Sequence, residues 1–137
     1  MNANKINLWA VAVAAVVYWL LGAAWFTSLS NPWLASIGKT MDQLKGEAAS
    51  PGVAYMVALV CNVVIAYVLG WVIVTTGEQT AMRGASIGAL LWIGFIGTTM
   101  GTEPIFEGRS LAGFGITAGY PLVGMLIMGA IVGGWKK

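Results

Sequence analysis

Histidine is absent from this chain, cysteine occurs once, and charged side chains make up only 9% of its 137 residues. Each scarcity removes a class of function. Without His the chain lacks the commonest ligand for haem and transition metals and the commonest general base, so neither a metal centre, a bound cofactor nor a hydrolase triad is expected. Cys61 stands alone inside an apolar run. It can form no internal disulfide, no imidazole is present to activate it, and it reads as a small packing residue. Seven basic and five acidic residues leave a net charge of only +2, spread over ends and loops, which gives no basic patch for nucleic acid. No Asp, Glu, Lys or Arg falls in the middle of a long apolar run, where each would cost about 2.5–3.5 kcal/mol and would mark a proton or ion pathway. That argues against a proton-coupled exporter of the small four-helix type.

Apolar residues make up 58% of the chain, and the mean hydropathy is +0.82. With so few charges the chain cannot cover a water-soluble surface, and the bilayer is its expected solvent. The pattern predicts a single all-α membrane domain over 1–137, a bundle of four transmembrane helices at about 7–26, 51–74, 84–102 and 111–135. The 27–50 loop carries a short amphipathic interfacial segment after helix 1. Gly22-Ala23-Ala24 resembles a signal cleavage site, but the apolar run before it is longer than a signal peptide's. In the loop, Ser30 or Asn31 is placed to cap a turn starting at Pro32 that ends at Gly38. Thr40 and Gln43 form a capping box, and Trp33, Leu34, Ile37, Met41 and Leu44 supply an apolar side. Ser50-Pro51 opens helix 2. The residue before a proline is pushed out of helical geometry, so Glu103-Pro104 is expected to end helix 3; Ser110 caps helix 4, and Pro121 predicts a kink in it. The short connection 75–83 is expected to make helices 2 and 3 antiparallel neighbours.

Small residues recur at helix-packing spacing: Ala10, Ala14 and Gly22 in helix 1, and Ala54 with Ala58 and Ala66 with Gly70 in helix 2. Gly84, Gly88, Gly97 and Gly101 in helix 3, and Gly115, Gly119, Gly129 and Gly133 in helix 4, repeat the pattern. Helix 3 is therefore expected at the tightly packed centre. Asn62, Thr98, Thr117 and Tyr120 are the candidate intramembrane polar groups; they either line a narrow polar path or bond locally, Asn62 as glue between helices and the hydroxyls to their own helix. Glu103, Glu107 and Arg109 form a charged turn, a gate or headgroup site on one reading and an ion pair that fixes the turn on the other. No nucleophile with a base and an orienting group is visible, so no catalytic residue is assigned and no enzyme is expected.

Phe106-Glu107-Gly108-Arg109-Ser110-Leu111, followed by Ala118-Gly119-Tyr120 and Met128-Gly129-Ala130, resembles the domain-of-unknown-function 1761 family of small four-helix membrane proteins. Trp25-Phe26, Pro32-Trp33 and Gly38-Lys39 resemble the same pattern, so the likeness spans nearly the whole chain. Thr117 stands where that pattern has Asn, and Pro121 where it has an aromatic or aliphatic residue. The resemblance implies the four-helix architecture and carries no activity. From the residues, the expected role is a small accessory or scaffolding subunit that packs against other membrane helices or its own copies in the lipid bilayer. The alternative is a small oligomeric channel or transporter for a neutral or weakly polar solute. Lys5, Arg83, Lys136 and Lys137 lie on one side against Lys39, Lys45 and Arg109 on the other, so both termini are expected in the cytoplasm, across a bacterial inner membrane.

Overall fold

The computed structural model describes residues 3–108 and 110–137. After a 3-10 turn at Ala3–Lys5 the chain is helical throughout its described elements: α1 (Leu8–Ser28), α2 (Ser30–Ile37), α3 (Met41–Glu47), α4 (Pro51–Thr76), α5 (Ala81–Leu91), a π-helical segment (Trp92–Gly97), α6 (Thr98–Glu107) and α7 (Leu111–Gly134). Four helices are long and apolar enough to cross a membrane: α1, α4, the continuous run Ala81–Glu107, and α7. The chain is thus an all-α bundle of four spans with a helical strap, α2–α3, between the first two.

Most element ends follow from local chemistry. Asn7 caps α1 by accepting from the backbone N–H of Trp9 and Ala10, and Ser110 caps α7 by accepting from Gly113. The Thr40–Gln43 capping box is formed in both directions, and Gly38 ends α2 in the left-handed region at φ 69°. α2 starts at Ser30, two residues ahead of Pro32, and its N-terminus has no side-chain cap. The third span departs furthest from expectation. It does not stop at Pro104 but continues to Glu107, where Gly108 at φ 69° closes it by donating its N–H to the Pro104 carbonyl. Pro104 is buried, and its packing outweighs the bias against helix at the preceding residue. α7 continues as α-helix across Pro121 to Gly134.

The π segment was not legible in the sequence. Its wider turn brings Gly97 beneath the ring of Trp92, five residues earlier: a Cβ on Gly97 would lie 2.8 Å from the indole. The indole Nε1 then reaches across to donate to the Ala118 carbonyl of α7 at 2.9 Å.

The core lies among α1, α4 and α7, built from Val11, Ala14 and Tyr18, from Ala66, Leu69 and Ile73, and from Met125, Met128 and Val132. The fourth span is therefore the centre of the bundle. The third is the least buried of the four, and it packs mainly on α7 and little on α4. One expectation is corrected: helix 3 is peripheral. It does adjoin the second span, as the short 77–80 connection implied, but that contact is slight beside its packing on α7. The reason is the seam between α5 and α7, where Thr80 opposes Gly133, Gly84 opposes Gly129 and Gly88 opposes Met125 with backbone against backbone. A Cβ at Gly84 would lie 2.8 Å from the carbonyl carbon of Gly129, and one at Gly88 as close to that of Met125.

The remaining glycines seat side chains. Gly119 faces Trp25, Gly101 faces Phe114, Gly70 faces Val132, and Gly115 faces open space. The two ends of the chain meet where Asn7 Nδ2 donates to the Lys136 carbonyl at 3.2 Å. At the same end Arg83 ties the end of α4 to the connection that follows it by donating to the carbonyls of Ile73 and Glu78.

Gly84→Ala is expected to destabilise the bundle by about 2–3 kcal/mol or more, since backbone must separate. Gly94→Ala, with nothing within 4 Å of its added methyl, is expected to be neutral or stabilising by up to about 1 kcal/mol. Unfolding in mixed micelles, followed by circular dichroism, measures both; equal losses would show that the seam is not what holds α5 to α7.

Candidate functional site

Among the described residues, an open groove of about 580 Å³ lies at the end of the bundle that carries the α2–α3 strap. Its walls are the later turns of α1, with Trp19, Gly22, Ala23 and Phe26, and the first turns of α4, with Ala54, Tyr55 and Ala58. Trp33 of α2 and Met41 and Leu44 of α3 cover it, and Tyr120 of α7 forms its inner end. The amphipathic segment thus turns apolar side chains towards a space between two spans.

Large rings hold the walls apart. Trp19 meets Tyr55 edge to face at 5.9 Å between ring centres, and its Nε1 donates to the Tyr55 carbonyl at 3.1 Å. Phe26 meets Trp33 in the same manner at 5.2 Å and Tyr120 at 5.5 Å. Such pairs add about 0.5–1.5 kcal/mol beyond their burial and favour one arrangement of the rings. Ala54 and Ala58, expected to let helices approach, are exposed and leave room for the groove instead.

At the inner end, Tyr120 stacks on Tyr18 with ring centres 4.4 Å apart and donates its hydroxyl to the Tyr18 backbone carbonyl at 2.9 Å. Gly22 makes this possible: a Cβ there would lie 2.6 Å from the Tyr120 oxygen. Asn62, 6% exposed, faces the same region and donates to the Ala15 carbonyl at 3.5 Å, a long bond that links α4 to α1. Trp25 Nε1 donates to the Ile116 carbonyl at 2.9 Å. These bonds tie α1 to α4 and α7.

The four intramembrane polar residues do not assemble into one path. Asn62 and Tyr120 converge, whereas Thr98 is exposed and bonds the Gly94 carbonyl of its own helix at 3.1 Å. Thr117 lines a separate cavity of about 50 Å³ with Glu103, Pro104 and Ser110. Glu103 and Glu107 are exposed one turn apart on α6, so they belong to a helix and not to a loop. Arg109, the third member of the charged cluster, lies outside the described residues. Cys61 is exposed and does not pack in the core.

The groove itself escaped sequence reasoning. Its one signal was the seven-residue spacing of Trp19 and Phe26, two turns along one face of α1, matched by Trp33 and Tyr55 beyond the loop. Among the described residues, no charged side chain lines it.

Four apolar spans, a helical interfacial strap and an uncharged aromatic groove define a small polytopic integral membrane protein. The family described as "protein of unknown function (DUF1761)" matches residues 9–133, and the chain belongs to it. No curated protein and no solved structure matches the chain.

Tyr120→Phe keeps the ring stack and removes one interhelical hydrogen bond, so it is expected to cost about 0.5–1.5 kcal/mol. Tyr120→Ala, which also empties the space beside Tyr18 and Gly22, is expected to cost about 3 kcal/mol or more. Denaturation midpoints in detergent check the difference, and equal costs would remove the ring stack from the account.

Proposed function

We propose that this is a non-catalytic membrane protein that takes a neutral or weakly polar solute into the groove between α1 and α4. The observation that supports it is the uncharged lining: about 580 Å³ walled by aromatic, aliphatic and small side chains, a size typical of small-molecule sites. The Thr27, Ser30, Tyr55 and Tyr120 hydroxyls at the groove have no base among its lining residues, which supports binding over covalent chemistry.

A second reading, an accessory or scaffolding subunit that packs on other membrane proteins or on its own copies, draws on a different face. Ser86, Leu90, Gly94, Thr98 and Thr102 are exposed at four-residue spacing along the third span, the least buried of the four. Small and hydroxyl-bearing residues in such a row suit a partner helix better than lipid. The seam glycines give this reading no support, because they are occupied within the chain. We place the protein in a bacterial inner membrane with both termini cytoplasmic, on the positive side chains of Lys5, Arg83, Lys136 and Lys137 at the terminal end.

The test is a titration of the detergent-purified protein with the uncharged fluorophore 1-aminoanthracene, read as energy transfer from tryptophan. Saturable transfer is expected, weakened at least about tenfold by Ala58→Trp, which fills the groove. Transfer that grows linearly in both proteins would overturn the groove reading. Native mass spectrometry of the same preparation addresses the second reading: a stoichiometric partner or dimer lost on Gly94→Leu is expected if that face is an interface, and an unchanged monomer would dismiss it.

A further inference from the structure

The groove's polar groups are distributed unevenly, and the distribution names a ligand class. At its outer end, where α1 passes into α2, stand the hydroxyls of Thr27 and Ser30. Neither makes a hydrogen bond among the described residues. Thr76, Ser86 and Thr98 bond back to carbonyls of their own helices, whereas the hydroxyls of Thr27 and Ser30, like those of Ser28, Thr75, Thr99 and Thr117, make no such bond among the described residues and are open to a ligand. At the inner end the one hydroxyl, that of Tyr120, already gives its proton to Tyr18. Between them the walls offer Trp19, Leu44, Ala58 and the phenol of Tyr55, and nothing ionic among the described residues.

The groove also opens sideways. Ala54, Tyr55 and Ala58 on α4 and Met41 on α3 are exposed, so the mouth faces what surrounds the spans as well as the strap. A ligand that fits has an apolar body, lies within the bilayer, and carries one small oxygen-bearing head at the level of Thr27 and Ser30. A phosphate or carboxylate head would meet no cation in the lining, and an ammonium head no carboxylate. Aromatic faces attract cations, but without a counter-charge in a desolvated site the neutral head is favoured.

We propose that the groove binds an uncharged single-headed lipid, such as a long-chain alcohol, with its hydroxyl on Thr27 and Ser30 and its chain along the α1–α4 wall past Trp19. This rests on the groove being a solute site and adds the identity of the head and the lateral route.

The experiment uses the full chain in phosphatidylcholine liposomes with three photoreactive diazirine probes of equal chain length: hexadecanol, palmitate and hexadecyltrimethylammonium. Labelled peptides are mapped by mass spectrometry in the natural protein, in Ala58→Trp and in Thr27→Val/Ser30→Ala. Circular dichroism melting accompanies each variant, so that a misfolded protein is not mistaken for a blocked site. The expected result is labelling of the 19–33 and 54–58 segments by hexadecanol, about tenfold above the two charged probes, lost in Ala58→Trp and reduced several-fold in the hydroxyl double variant. Equal labelling by all three heads, still blocked by Ala58→Trp, would overturn the neutral-head inference while leaving the groove a solute site. Preferential labelling by palmitate or the ammonium probe would do the same. Labelling unaffected by Ala58→Trp for every probe would remove both the lipid proposal and the solute reading beneath it.

Discussion

The structure depends on how closely two backbones approach. Between lipid-immersed helices the hydrophobic effect gives little preference for protein over solvent, so van der Waals contact and interhelical hydrogen bonds must hold them. Gly84, Gly88, Gly129 and Gly133 supply the first, since without side chains α5 and α7 meet carbonyl against α-carbon. Trp25, Trp92 and Tyr120 supply the second, each donating to a backbone carbonyl of another span. Two of those carbonyls, Ile116 and Ala118, flank Thr117, whose own helical partner is missing because Pro121 has no N–H. α7 thereby becomes the element that every other span touches.

Once α7 is fixed at the centre, the disposition of α1 and α4 follows. Near the chain termini they meet on alanines and on Ile6, Leu69 and Ile73, with an open apolar concavity of about 430 Å³ left beside Leu8, Val11, Ala12 and Val68. Toward the strap, Trp19 and Tyr55 replace the small residues, and the rings prop the helices apart. The groove is the space that results. The strap covers it because the α2–α3 side chains Trp33, Met41 and Leu44 find an apolar surface there, while the Lys39–Glu47 ion pair stays on the exposed side.

Much of the fold was legible in the sequence. The four spans, the capping box at Thr40, the start of α4 at Pro51 and the cap at Ser110 each rest on interactions within a few residues, which one stretch of chain contains in full. The end of the third span was misplaced because Pro104 speaks only of a local bias, while its burial against neighbouring helices decided the outcome. The charged cluster was misplaced with it: Glu103 and Glu107 sit on a helix. Of the polar candidates, Asn62 and Tyr120 meet and Thr98 and Thr117 do not, since the faces they occupy depend on the π segment and on the order in which the helices pack.

By itself, then, the sequence determined that the chain is helical, that it crosses a bilayer four times and where most of its helices begin. Length, hydropathy and capping chemistry are local quantities and need no knowledge of neighbours. Which helix lies at the centre, which glycines touch backbone and which face open space, and that an aromatic groove exists at all were decided by the tertiary structure. Small residues at a fixed spacing announce that something can approach closely without saying what. Only the assembled bundle shows that α5 and α7 meet each other there, while Ala54 and Ala58, with the same spacing, are left exposed at the groove.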